Sequence, residues 1–229
     1  MATNLREMKR TCRVPGCTQE TASRYSPYCS VHKARLRRHG AVDQDGITAA
    51  DLKPYLSKVN ARIEKNRDSP AWGQLDGRWL TLVDHANSVI AAYEKGRASP
   101  RHEVKAAHEV VKIAGAAQAR EVVETALAMF IMQEFEPRRF RSDDAFRVQL
   151  VRRVRALANM NAGEFYDHRA DKTRRVYREV SPRAVAVMGH WLSEAFGVAG
   201  LRLARLERAD EERERKERLA LHRALEELK

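Results

Sequence analysis

The chain is short of cysteine, of long apolar runs and of acidic residues to balance its basic ones. Only three cysteines occur in 229 residues, all between positions 12 and 29. An odd number in one short stretch argues against the disulfide framework of small secreted domains, so a reducing, cytoplasmic setting is the default expectation. No apolar run approaches the roughly 20 residues of a membrane span; the longest candidate, Ala126 to Met132, is far shorter. The opening MATNLREMKR has no apolar stretch and does not read as a secretory signal. Strand-like alternation is missing outside the N-terminal stretch, and no hairpin dipeptide joins two alternating runs there.

Catalytic spacings are missing too. There is no glycine-rich phosphate loop, nucleophile elbow or HExxH. Asp84 and His85 diverge on a helix, and His102 and His108 share no face well. His190, between Gly189 and Trp191, reads as a satisfied core histidine. These gaps point to a protein without a catalytic centre.

What is present is positive charge, unevenly spread. There are 43 Lys+Arg against 31 Asp+Glu, a formal net charge of +12, which suits a polyanionic partner. Residues 1–40 hold nine basic and two acidic residues, whereas residues 41–100 hold eight of each. That shift, with the turn-rich GAVDQDG at Gly40 to Gly46, marks a module boundary. The expected organisation is a module at 1–40, a helical domain at 41–200 and a charged helical tail at 201–229.

Beyond Gly40 the pattern is helix after helix. Thr48 with Asp51 resembles a capping box, with Pro54 confined to the first turn or bending the helix. Ser69-Pro70, Ser99-Pro100 and Ser181-Pro182 each offer an N-cap serine before a first-turn proline, and Ser142 precedes two aspartates. Three apolar stripes recur at helical spacing: Trp79 to Tyr93, Val110 to Met129, and Val148 to Met160. Breaks are expected at Gly96, at EFEPRRFRSDD and near Gly197 and Gly200. The tail suggests an exposed helix with i,i+4 pairs such as Glu211–Arg215, Glu212–Lys216 and Glu214–Arg218. Leu221, Leu225 and Leu228 form a short seam near its end that could meet a protein partner.

The cysteines carry the sharpest signal. Cys12, Cys17, Cys29 and His32 are spaced C-x4-C-x11-C-x2-H. Zinc takes four sulfur or nitrogen ligands in a tetrahedron, and Cys3His is a closed structural set that leaves no position for a reactive water. Pro15-Gly16 can turn the first pair into a knuckle, and C-x2-H suits the first turn of a helix. His39 is a possible substitute ligand.

The stretch C-x-V-P-G-C … Y-C-S-V-H-K-A-R-L-R-R-H-G resembles the short treble-clef zinc modules of phage and mobile-element proteins, often attached to HNH-type endonucleases. The resemblance covers about 30 residues of the chain. It implies structural Zn2+ held by a knuckle pair and a helix-borne pair, with a basic helix start addressing nucleic acid. The HNH signature itself is missing, and residues 41–229 resemble no family.

Two sets of basic residues are candidates for nucleic-acid contact. Arg10, Arg13, Lys33, Arg35, Arg37 and Arg38 surround the Cys/His stretch. Arg138, Arg139, Arg141, Arg152, Arg153, Arg155, Arg174 and Arg175 belong to a block from Pro137 to Arg178 with twelve basic and five acidic residues. Phe140, Tyr166 and Tyr177 lie among these cations, where they could stack on bases or edge the core. The combined expectation is a mainly α, zinc-dependent, non-catalytic nucleic-acid-binding protein. DNA is favoured over RNA, and the cell's nucleoid is the corresponding location. The alternatives are a structural adaptor subunit of an assembly and a divergent metal-dependent nuclease.

Overall fold

A computed structural model describes residues 10–158, 162–177 and 179–227. The chain is mainly helical: α1 (Ser30–His39), α2 (Ala49–Lys65), α3 (Pro70–Glu94), α4 (Arg101–Ala114), α5 (Ala119–Phe135), α6 (Asp143–Arg155) and α7 (Pro182–Glu227). A short 3-10 turn, Pro137–Arg139, precedes α6, and a two-stranded hairpin separates α6 from α7.

Local chemistry accounts for most helix starts. Thr48 and Asp51 close a reciprocal capping box on α2, so two orphan N–H groups are satisfied at once. Ser69 and Ser142 accept hydrogen bonds from the backbone N–H groups of Ala71 and Ala145. Pro54 lies inside α2 rather than in its first turn. The carbonyl it leaves without an intrahelical donor belongs to exposed Ala50, which water can satisfy. The start expected at Ser99 shifts by one residue, because Pro100 caps α4 through its carbonyl and no side chain helps. The single stripe from Val110 to Met129 becomes two helices, since Gly115 ends α4 and Gln118 with Glu121 caps α5. Met160, at the end of the third stripe, lies outside the described residues.

Helix α5 is the axis of the core. Ten of its 17 residues are buried, on all sides, which a helix tolerates only when surrounded. It packs against α2, α3, α6 and α7. The expected break near Gly197 and Gly200 is not one: α7 runs through both for 46 residues. A Cβ on Gly200 would lie 2.5 Å from Cδ2 of buried Phe130, so this glycine permits helix–helix approach rather than ending a helix. Among the described residues, α7 is the one helix long and apolar enough to cross a membrane. Met188, Leu192, Phe196 and Leu203 of this helix pack into the core, whereas Val198 and Leu206 are exposed.

The hairpin departs from the sequence expectation. Strands β1 (Ala162–Asp167) and β2 (Lys172–Tyr177) pair antiparallel, with Asp167 opposite Lys172. Its four-residue loop uses no Asn-Gly or Asp-Gly dipeptide. Instead the Asp167 carboxylate accepts from the N–H groups of Arg169 and Ala170, and Asp171 takes a left-handed φ of 47°. The composition of residues 162–177 is too charged to register as half-buried alternation.

Candidate metal centre and basic surface

Two short-range devices build the metal centre. Val14-Pro15-Gly16-Cys17 closes a turn through Cys17 N–H to the Val14 carbonyl at 3.0 Å. Gly16 has φ 77°, the left-handed value that a Pro-Gly turn needs. The flanking chain doubles back, with Cys12 N–H on the Gln19 carbonyl and Thr21 N–H on the Arg10 carbonyl. The second device is the start of α1: Cys29 is its N-cap and His32 lies one turn in. Thus C-x2-H places a thiol and an imidazole side by side.

Cys12, Cys17, Cys29 and His32 present donor atoms that all lie within 4.8 Å of one another. His32 Nδ1 is 3.4 Å from Cys12 Sγ and 3.3 Å from Cys29 Sγ. Zinc with sulfur at about 2.3 Å and nitrogen at about 2.0 Å sets its ligand atoms roughly 3.5–3.8 Å apart, so this cluster is near the required size. No disulfide joins the cysteines.

Electrostatics point the same way. Burial opposes ionisation of Cys12. Backbone hydrogen bonds from Cys29 and Val14, with His32 and Cys17, outweigh it and bring the thiol down to about 6. Cys17 shifts upward: a backbone hydrogen bond from Gln19 favours its thiolate, but desolvation and the Cys12 and Cys29 sulfurs prevail. One thiolate is readily formed here, and further ones repel it. A divalent cation removes that conflict, and three sulfurs with one imidazole are a donor set that suits zinc.

The surrounding module has little else to hold it. Among residues 10–40 the only buried side chains are Cys12 and Cys29, and α1 buries none. A structural zinc supplies about 10–16 kcal/mol of folding free energy in modules of this size. His39 takes no part in the cluster. Burial, followed by the charges of Arg152, Arg35 and Arg38, lowers its pKa, and it lies against Gln149.

That contact belongs to a docking arrangement with little sequence signature. Gln149, fully buried on α6, accepts from Ile47 N–H at 3.0 Å and donates to the His39 carbonyl at 3.2 Å. Gln44, also fully buried, donates to the Arg139 carbonyl and accepts from Arg141 N–H, both at 3.1 Å. The stretch expected as a boundary is therefore fastened to the helical body by two amides. Gly40 has φ 90°, and a Cβ there would lie 2.8 Å from the Ala145 Cα, so α1 ends directly against α6. A lone amide in the apolar stripe of α6 was the one available hint.

The basic candidates divide by environment. Arg10, Arg13, Lys33 and Arg138 are exposed and form no ion pair among the described residues. Arg35 pairs with Asp45 at 3.5 Å, Arg139 with Asp51 at 3.4 Å and Arg141 with Asp43 at 3.1 Å. Arg37 and Arg38 both reach Glu179, at 2.9 and 2.7 Å. Arg152 donates to the Arg38 carbonyl, and Arg153 to that of Ile47. Arg155, expected at the surface, is instead buried in an ion pair with Glu109 at 2.9 Å. Arg174 and Arg175 stand on β2 opposite Phe165 and Glu164; their side chains, and that of Tyr177, lie outside the described residues. Phe140 is in the core, edge-on to Phe146, whereas Tyr166 is exposed and bonded to Asp171. His190, expected in the core, is exposed and pairs with Glu194.

The fold thus brings together the last turns of α1 and α6, which the sequence separates by more than 100 residues. No family model matches this chain, and no curated protein or solved structure matches it significantly.

Proposed function

We propose that this chain is a non-catalytic, zinc-dependent nucleic-acid-binding protein of phage-like or mobile-element type, with a treble-clef-like module at its N-terminus. The observation that carries this reading is the Cys12/Cys17/Cys29/His32 cluster at the root of α1. That helix buries no side chain and carries Lys33, Arg35, Arg37 and Arg38 on its exposed surface. A helix with no hydrophobic reason to exist, pinned at one end by a metal, serves to hold its cations in place. Zinc here is structural: four protein ligands leave it no open position. Duplex DNA is the favoured partner, bound mainly through phosphates.

The test is a salt series of binding to duplex DNA, single-stranded DNA and structured RNA, with and without zinc. Affinity should fall steeply with salt, by about 0.9 in log K per log unit for each phosphate neutralised. Chelation should weaken binding at least tenfold, and replacing Arg35 by Ala should lower the slope by about 1. Binding that is weak, indifferent to zinc and equal for all three nucleic acids would sink the proposal.

A second reading, as an adaptor subunit, is favoured by one observation. Leu219, Leu221 and Leu225 are exposed on the free end of α7. Salt-insensitive oligomers in sizing measurements without nucleic acid would support it.

A further inference from the structure

Where α1, α6 and the start of α7 meet, there is a cavity of about 130 Å³. Arg37 and Arg38 border it from α1, Arg152, Arg153 and Arg155 from α6, and Glu179 from the segment entering α7. Cations in the last turn of a helix offset its partial negative charge, and one per end would do. Here each of the two helix ends carries at least two arginines, and all converge on one space.

Among the described lining residues, five arginines face one carboxylate, that of Glu179. Arg155 pairs with Glu109, which does not line the cavity. The carboxylate of Glu179 accepts from both Arg37 and Arg38. Among the described residues, those two guanidiniums and Arg152 therefore share one anion. Loss of hydration, reinforced by Arg155, Arg38 and Arg153, pulls Arg152 below its ordinary range, and Glu179 only partly opposes this. Val151 and Val185 give the cavity an apolar side, which strengthens the field felt inside it. The α7 N-terminus adjoins at Val185, and the positive end of a helix also favours an anion.

We propose that this cavity is a phosphate-binding site, and that Glu179 is an internal stand-in for the phosphate, displaced when one binds. Arg37 and Arg38 are the donors that a phosphate takes over from Glu179, and Arg152 adds a third. Arginine's planar fork suits two-point contact with phosphate oxygens. The volume limits the ligand: sites for drug-sized molecules run to roughly 300–1,000 Å³, so this one takes a phosphate group and not the nucleoside attached to it. The phosphate could be free, terminal on a nucleic acid or part of its backbone. The inference rests on the nucleic-acid reading only for that source.

The test uses the full-length, zinc-loaded protein and inorganic phosphate, exchanged against chloride at constant ionic strength. Arginine Nε–H resonances report occupancy. Phosphate should shift the signals of Arg37, Arg38 and Arg152 saturably. Glu179→Gln, which keeps the shape and removes the competing charge, should tighten phosphate at least fivefold. Arg38→Ala, a half-exposed position whose folding is checked by circular dichroism, should weaken it at least fivefold. Phosphate acting no differently from chloride in all three proteins would overturn the proposal and leave a purely structural ion-pair cluster.

Oligonucleotides with a 5′-phosphate or a 5′-hydroxyl separate the sources. Preference for the phosphate, lost in Arg38→Ala, identifies a terminal group; equal binding together with saturable inorganic phosphate identifies a backbone or free one. Saturable phosphate without binding of any nucleic acid keeps the site and removes the nucleic-acid reading. Zinc-dependent nucleic-acid binding without saturable phosphate removes the site alone.

Discussion

Glu109 shows how a single buried charge can be held in this fold. Its carboxylate bonds to Arg155 Nε and Lys112 Nζ, both at 2.9 Å, and the Arg155 and Glu109 side chains are each 10% exposed. Burial alone would raise its pKa. The hydrogen bond from Lys112 and the charge and hydrogen bond of Arg155 outweigh this and hold it below its ordinary 4.5. A carboxyl depressed by folding stabilises the protein above its unfolded pKa, and that contribution fades as pH falls through the folded value. Stability measured by urea unfolding should therefore drop below about pH 4.5 in the native chain, with less of a drop in Glu109→Gln. Glu109→Ala should cost about 1–3 kcal/mol at neutral pH, because it removes the buried carboxylate that accepts from both Arg155 and Lys112. Gly200 makes the opposite point, that a missing side chain can be structural. Gly200→Val gains a few tenths of a kcal/mol of helix propensity. It also drives a branched side chain into buried Phe130. Overpacking wins, and thermal unfolding should report a loss of about 2 kcal/mol or more.

At the scale of elements, α1 and its docking stretch are the informative case. Helix α1 has no apolar face, so what holds it is the Cys/His cluster at one end, positioned to bind a metal, and the glutamine contacts at the other. Removing zinc should abolish amide-exchange protection in residues 10–40 while leaving α2 to α7 protected, since their core includes neither thiol. Uniform loss of protection would show that the module and the helical body fold as one unit. Gln149→Leu leaves the Ile47 N–H buried without an acceptor and should cost about 1–3 kcal/mol. Its effect on exchange should concentrate at residues 39–47. The hairpin shows why some elements escape a sequence reading. Its turn depends on an aspartate capping its own loop and a second aspartate in a left-handed conformation. Asp is common in loops for other reasons, so neither position stands out.

At the scale of the whole molecule, α7 ties the parts together. Its first half fills the core. Farther along, Arg62 on α2 clamps Glu207 and Asp210 at 2.6 and 2.7 Å, and Lys58 reaches Glu211. The pairing of Glu211 with Lys58 replaces the Glu211–Arg215 pair that spacing alone suggests, whereas Lys216 does reach Glu212 at 3.7 Å. Past Glu212 every described residue is exposed, so about 15 residues, roughly 22 Å of helix, extend from the body. Leu228, the last member of the expected seam, lies outside the described residues. Deleting residues 213–229 should change the melting temperature by less than about 2 °C, in line with the small effect of surface changes. Arg62→Ala should lower stability measurably, because it frees two carboxylates at a half-buried contact. A large loss on truncation would mean that the end of α7 is covered by a second copy.

The sequence by itself determined what depends on a few neighbouring residues. The Cys/His cluster at 12, 17, 29 and 32 was legible because a turn and a helix start bring each pair together over short spans. The caps at Thr48, Ser69 and Ser142 were legible for the same reason, as was the mainly helical character. Only the tertiary structure decided which charges meet. Arg38 and Glu179 are 141 residues apart, and Arg152 and Arg38 are 114 apart. No local rule selects such pairs, because they form only once α5 has been enclosed and α1 has been laid against α6. Packing also decided that Arg155 would be buried, that Gly200 would be a contact, and that two basic blocks would border one cavity: each follows from which helix faces are left over when the apolar ones are used up.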